Sequence, residues 1–138
     1  MTRTTPRPIS LAHLTVLDTT PPELVTVAAA AGFRTIGIRL TATPSVGVPP
    51  YFRYAQICDA SADMPGPGDT PALIREARTG RLLPGEGALP LAELVAALPD
   101  TLPLAVEAPC QATAGLSAVE RAKRAYQSLS ALLQTRKE

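Results

Sequence analysis

The chain has 138 residues, of which 46% are apolar and 18% charged, enough for one domain with a hydrophobic core and unlike the composition of a disordered chain. Thirteen Lys and Arg against 12 Asp and Glu leave a formal net charge of +1. That balance provides no long-range attraction to nucleic acid or to an anionic membrane.

Residues 1–8 read as a leader, and residues 9–138 as a single domain. Ile9, Leu11, Leu14 and Val16 give an apolar run that predicts a strand ending near Leu17. Thr20-Pro21-Pro22-Glu23 is a T-x-x-E capping box, with prolines where a helix has no amide partner to lose. Leu24, Val25, Val27, Ala28 and Ala31 continue that helix, and Gly32 suits its end. Phe33 to Leu40 reads as a second strand, apolar except at Arg39. A strand–helix–strand unit over 9–40 favours parallel pairing with a right-handed crossover.

The segment 41–50, TATPSVGVPP, is a junction without helical pattern. Tyr51 to Asp59 resumes as a strand carrying Gln56. After a Gly/Pro-rich loop over 60–70, Thr70 and Pro71 open a short helix with Leu73, Ile74 and Ala77. Another loop, Thr79 to Leu89, contains Gly85 and Gly87 flanking Glu86. Pro90 begins a helix with Leu91, Leu94, Val95 and Leu98 on one face, and Leu102 to Val106 is a strand ending at Glu107. Ser117 and Glu120 form a second capping box, ahead of a helix with Val119, Ala122, Tyr126, Leu129 and Leu133 at spacings of three and four. Arg136 and Lys137 suit its carboxyl end.

Two cysteines, Cys58 and Cys110, are too few for a disulfide scaffold and form no CxxC pair, so a reducing compartment is the simpler setting. The polar, Pro-rich start MTRTTPRPIS lacks the apolar run of a signal peptide, and no stretch approaches the ~20 apolar residues of a membrane span. The expected location is the cytoplasm, with neither membrane nor nucleic acid as partner.

About four strands, apolar on both faces and alternating with helices, predict an α/β protein with a covered parallel sheet. Chemistry in such sheets gathers at the carboxyl ends of the strands. His13 and Arg39 stand near the ends of the first two strands, Gln56 on the third and Glu107 at the end of the fourth. A polar side chain inside an apolar strand needs a partner. Glu107 is either a carboxylate reaching solvent or a metal ligand or general acid/base. His13, the only histidine, is too few for a His-rich zinc site and by itself reads more readily as a core or rim histidine with one hydrogen bond than as a functional one. Of Arg75, Arg78 and Arg81, the last is the better anion-binding candidate because it leads into the PGEG loop.

Taken together, ISLAHLTVL, PPELVTVAAAAGF and TIGIRL resemble the opening strand–helix–strand of the sugar phosphate isomerase/epimerase family, the xylose-isomerase-like (β/α)8 barrels. FRYAQICDA, GRLLPGEGALPLAELVAALP and PLAVEAP resemble its last two units, YAQICD and the PGEG loop being most similar to hydroxypyruvate isomerase-type members. The resemblance spans roughly residues 9–110. It implies a partial TIM barrel, with 9–40 as the first unit, 41–50 as the junction and 51–138 as the last two βα units. It also implies metal-assisted proton transfer on a small sugar or sugar phosphate. Gln56 and Glu107 would be ligands of a divalent Mn or Mg ion, with Glu107 as the catalytic carboxylate. Arg81, His13 and Arg39 would contact substrate.

A full barrel of this kind takes about 250 residues, so the central units are missing, and with them a second Glu and an Asp ligand. Two functions follow from this departure: an isomerase or epimerase that still works, or a non-catalytic remnant that binds a ligand or dimerises. Open sheet edges favour a homodimer in either case.

Overall fold

Helix ends are set where the chain offers side chains to orphan backbone groups. In the computed structural model, which describes residues 7–16, 18–37 and 54–134, both expected capping boxes form. The Glu23 carboxylate accepts from the Thr20 amide at 2.7 Å and from its hydroxyl at 2.8 Å, opening α1 (Pro21–Ala31). The Ser117 amide and hydroxyl donate to Glu120 at 3.0 and 2.7 Å, and the hydroxyl accepts from the Glu120 amide at 3.3 Å, opening α4 (Ala118–Gln134). Gly32 ends α1 at φ 95°, a left-handed conformation that costs glycine little. Between them lie α2 (Thr70–Thr79), capped by Asp69 accepting from the Ala72 amide, and α3 (Leu91–Ala97).

The strands are β1 (Ile9–Ala12), β2 (Thr35–Gly37), β3 (Ala55–Ile57) and β4 (Leu104–Val106). They form one sheet in the order β2-β1-β4-β3, every pair parallel. The expected α/β class and parallel sheet are therefore present. Register aligns Ile36, Leu11, Val106 and Ile57 in one row across the four strands. These residues face the core, which α1, α3 and α4 complete with Leu24, Ala28, Val95, Ala122, Ala125 and Leu129. Alternation turns the row Thr35, Ser10, Ala105 and Gln56 to the opposite face. Phe33 meets Tyr126 edge-on, with ring centroids 5.2 Å apart, which ties the end of α1 to α4.

Within the described residues the strands are shorter than the apolar runs suggest. β1 stops at Ala12, and His13–Val16 winds into a 3₁₀ turn. The buried Thr15 hydroxyl makes this possible, donating to the Val106 carbonyl at 3.1 Å and accepting from the Ala108 amide at 3.2 Å, so a side chain replaces the ladder. β4 begins at Leu104 because the Leu102 amide is taken by a turn onto Pro99. At the amino end of the sheet, Arg7 donates to the carbonyls of Leu98, Pro99 and Asp100 at 2.8 to 3.3 Å. The Leu104 amide bonds the Pro8 carbonyl, so this part of the leader is fastened to the strand end. The 41–50 junction lies outside the described residues.

Candidate functional site

The polar residues collect at the carboxyl ends of β3 and β4. The Glu107 amide still bonds the Ile57 carbonyl at 3.2 Å, so its side chain departs directly from the end of the ladder. The segment after α2 then crosses both strand ends as an antiparallel strap: Gly80 bridges Cys110, beyond β4, and Leu82 bridges Asp59, beyond β3. Arg81 is pinned between these two bridges. The result is a cleft of about 240 Å³ lined by Leu14, Gln56, Cys58, Ala77, Arg81, Glu107 and Pro109. Three residues singled out in the sequence, Gln56, Arg81 and Glu107, thus line one cleft.

Charge in the cleft is mixed. Arg81 pairs with Glu76 at 3.3 Å, and both side chains are largely buried. Burial pushes the Cys58 thiol above its ordinary value; Arg81 pulls it back, while Glu76, Glu107 and Asp59 add to the rise. All four charged groups therefore lie within electrostatic reach of one sulfur. A thiol raised in this way is a poor nucleophile at neutral pH. The Glu107 carboxylate is half-buried and makes no hydrogen bond or ion pair with the described residues.

Of the other two expected substrate contacts, only His13 falls among the described residues. His13 is buried in the 3₁₀ turn, its Nε2–H donating to the Thr19 carbonyl at 2.8 Å, and its neighbour Leu14 lines the cleft instead. Its Nδ1 is buried with no partner among the described residues. Arg39 lies outside the described residues. On the same rim, Arg121 of α4 bonds Asp18 and the Leu116 carbonyl, latching the turn after β1 to the loop after β4; the Arg121 guanidinium holds the Asp18 carboxyl below its usual range.

Asp59 is the residue that sequence reasoning passed over. It is 1% exposed, and its carboxylate accepts four backbone amides: Ala60 at 2.9 Å and Leu89 at 3.0 Å on Oδ1, Gly85 and Gly87 at 3.0 Å on Oδ2. Burial alone would raise its pKa, but the four donors from Leu89, Ala60, Gly87 and Gly85 hold it below the usual carboxylate value. The PGEG loop is therefore folded around an internal anion and presents no cradle for an external one. Gly87 is required by this geometry, since a Cβ there would stand 2.7 Å from the Asp59 carboxyl carbon. The readable signal was an acidic residue ending the strand ahead of a Gly-x-Gly loop.

Gln56 and Glu107, the two residues implied as metal ligands, both line the cleft, and two protein oxygens hold a hard divalent ion only weakly. No group of three or more His, Cys, Asp or Glu suited to a metal occurs among the described residues. Among those residues, too, no helix is long and apolar enough to cross a membrane. A wider groove of about 520 Å³ runs between Pro84–Glu86 and the outer face of α4, and none of the expected site residues line it. Comparison of the chain with family models, with curated proteins and with solved structures gave no match.

Proposed function

We propose that the β3–β4 cleft binds a small hydroxy-carbonyl compound of the sugar or sugar phosphate class. In this reading the chain is a shortened relative of the sugar phosphate isomerase/epimerase barrels. The observation that carries it is the assembly of Gln56, Arg81 and Glu107, 51 positions apart at the extremes, around one cleft at the carboxyl ends of parallel strands. Strand order adds support. Read as β3-β4-β1-β2, it is the order in which the last two and first two strands of a closed eight-stranded barrel follow one another.

Each residue has a chemical task. Deprotonating a carbon beside a carbonyl needs a base within reach and positive charge near the oxygen that becomes negative. Glu107 is the base, and the Arg81 guanidinium faces the developing oxyanion or a phosphate. The Gln56 amide, with both donor and acceptor atoms, orients hydroxyl groups.

The test is deuterium incorporation from D₂O at the carbon next to the carbonyl, followed by NMR for a panel of ketoses, aldoses and their phosphates. The wild-type chain should exchange at least one of them, and Glu107→Gln should abolish that exchange while leaving the fold intact. An exchange rate unchanged in Glu107→Gln removes the assigned role. A second reading, a non-catalytic binding module, is favoured by the single carboxylate lining the cleft. It expects ligand-induced shifts in the Gln56 and Arg81 resonances with no exchange in the wild type.

A further inference from the structure

We propose that two copies of this chain close one eight-stranded parallel barrel, so that the clefts of both copies open onto a single mouth. This rests on the barrel-arc reading above and adds the partner that completes it. The two local crossovers, β1 to β2 and β3 to β4, each move one place in the same direction along β3-β4-β1-β2. With right-handed connections, both then place their helices on the same face of the sheet. The core is built that way, with α1, α3 and α4 together on one side. The other face carries the row Thr35, Ser10, Ala105 and Gln56, which offers too little apolar surface to form a second helix-packed layer.

Both edges are open to pairing among the described residues: β2 bonds only β1, and β3 only β4. Joining β2 of one copy to β3 of the other keeps every strand parallel. Four strands make half of an eight-stranded ring, so a two-fold axis along the barrel repeats the same seam twice and closes it. A head-to-tail contact that closes at two copies leaves no free edge for further growth.

The experiment is sedimentation of the full chain across a dilution series, with amide hydrogen exchange on the same samples. The expected result is a species of twice 14.4 kDa in which the amides of Thr35–Gly37 and Ala55–Ile57 exchange more slowly than in diluted monomer. A single-chain mass throughout overturns the proposal. So does a dimer whose β2 and β3 amides keep the monomer rate, since its interface then lies elsewhere. Glu107→Gln should dimerise like the wild type, so wild-type dimers without proton exchange, or an exchange rate unchanged in Glu107→Gln, count against the catalytic reading and leave the closure standing.

Discussion

Replacing Asp59 by Asn tests whether an internal carboxylate organises the wall of the cleft. The substitution preserves shape but turns one oxygen into an NH₂ group. Oδ1 serves Ala60 and Leu89, and Oδ2 serves Gly85 and Gly87, so either orientation of the amide sets a donor against two donors. Two hydrogen bonds to a charged acceptor are lost, each worth about 1.5–3 kcal/mol. The loop backbone partly recovers water, which places the expected loss near the lower end, about 3–4 kcal/mol. That is a large share of the ~5–15 kcal/mol by which a domain is stable.

Chemical denaturation followed by far-UV circular dichroism reads this as a fall in midpoint. The pH dependence carries a sign. Because the folded pKa of Asp59 is depressed, its stabilisation is fully present above the unfolded value of about 3.9 and disappears as pH falls through the folded one. The gap between wild type and Asp59→Asn should therefore stay constant near neutrality and narrow only in acid. A variant within about 1 kcal/mol of wild type, smaller than one such bond, with the same acid profile, would refute the reasoning. Gly87→Ala should be destabilising in the same assay by about 1–3 kcal/mol or more through overpacking against the same carboxylate.

Two further outcomes follow from the same geometry. In a Cys110→Ser background, alkylation of Cys58 should be slower at neutral pH than that of a free thiol; Glu107→Gln should speed it and Arg81→Gln should slow it, because these charges act on the sulfur in opposite senses. Unaltered rates in both variants would place the charges farther from Cys58 than the structure does. Thr15→Val should cost about 1–3 kcal/mol, since the buried Val106 carbonyl and Ala108 amide lose their shared hydroxyl; a neutral effect on thermal unfolding would mean that the ladder simply extends to fill the gap.

Sequence alone determined the local elements, because their signals are short-range. The boxes Thr20–Glu23 and Ser117–Glu120 act over three residues, and apolar spacing marked the faces of α1, α3 and α4 that reach the core. The parallel α/β class followed from short apolar strands alternating with helices, and the carboxyl-end rule picked out Gln56 and Glu107, which line one cleft, along with His13, which does not. Tertiary structure decided what depends on distant partners. β1 ends early because Thr15 meets residues 91 and 93 positions away. Arg81 is fixed by bridges to Asp59 and Cys110, pairings that no periodicity announces. Asp59 was legible only as the last residue of a strand; it is buried because four amides, three of them 26 to 30 residues distant, fold around its charge. Strand order likewise lay beyond local patterns, since placing β1 against β4 joins the two ends of the chain, and no helix or strand propensity encodes which edge meets which.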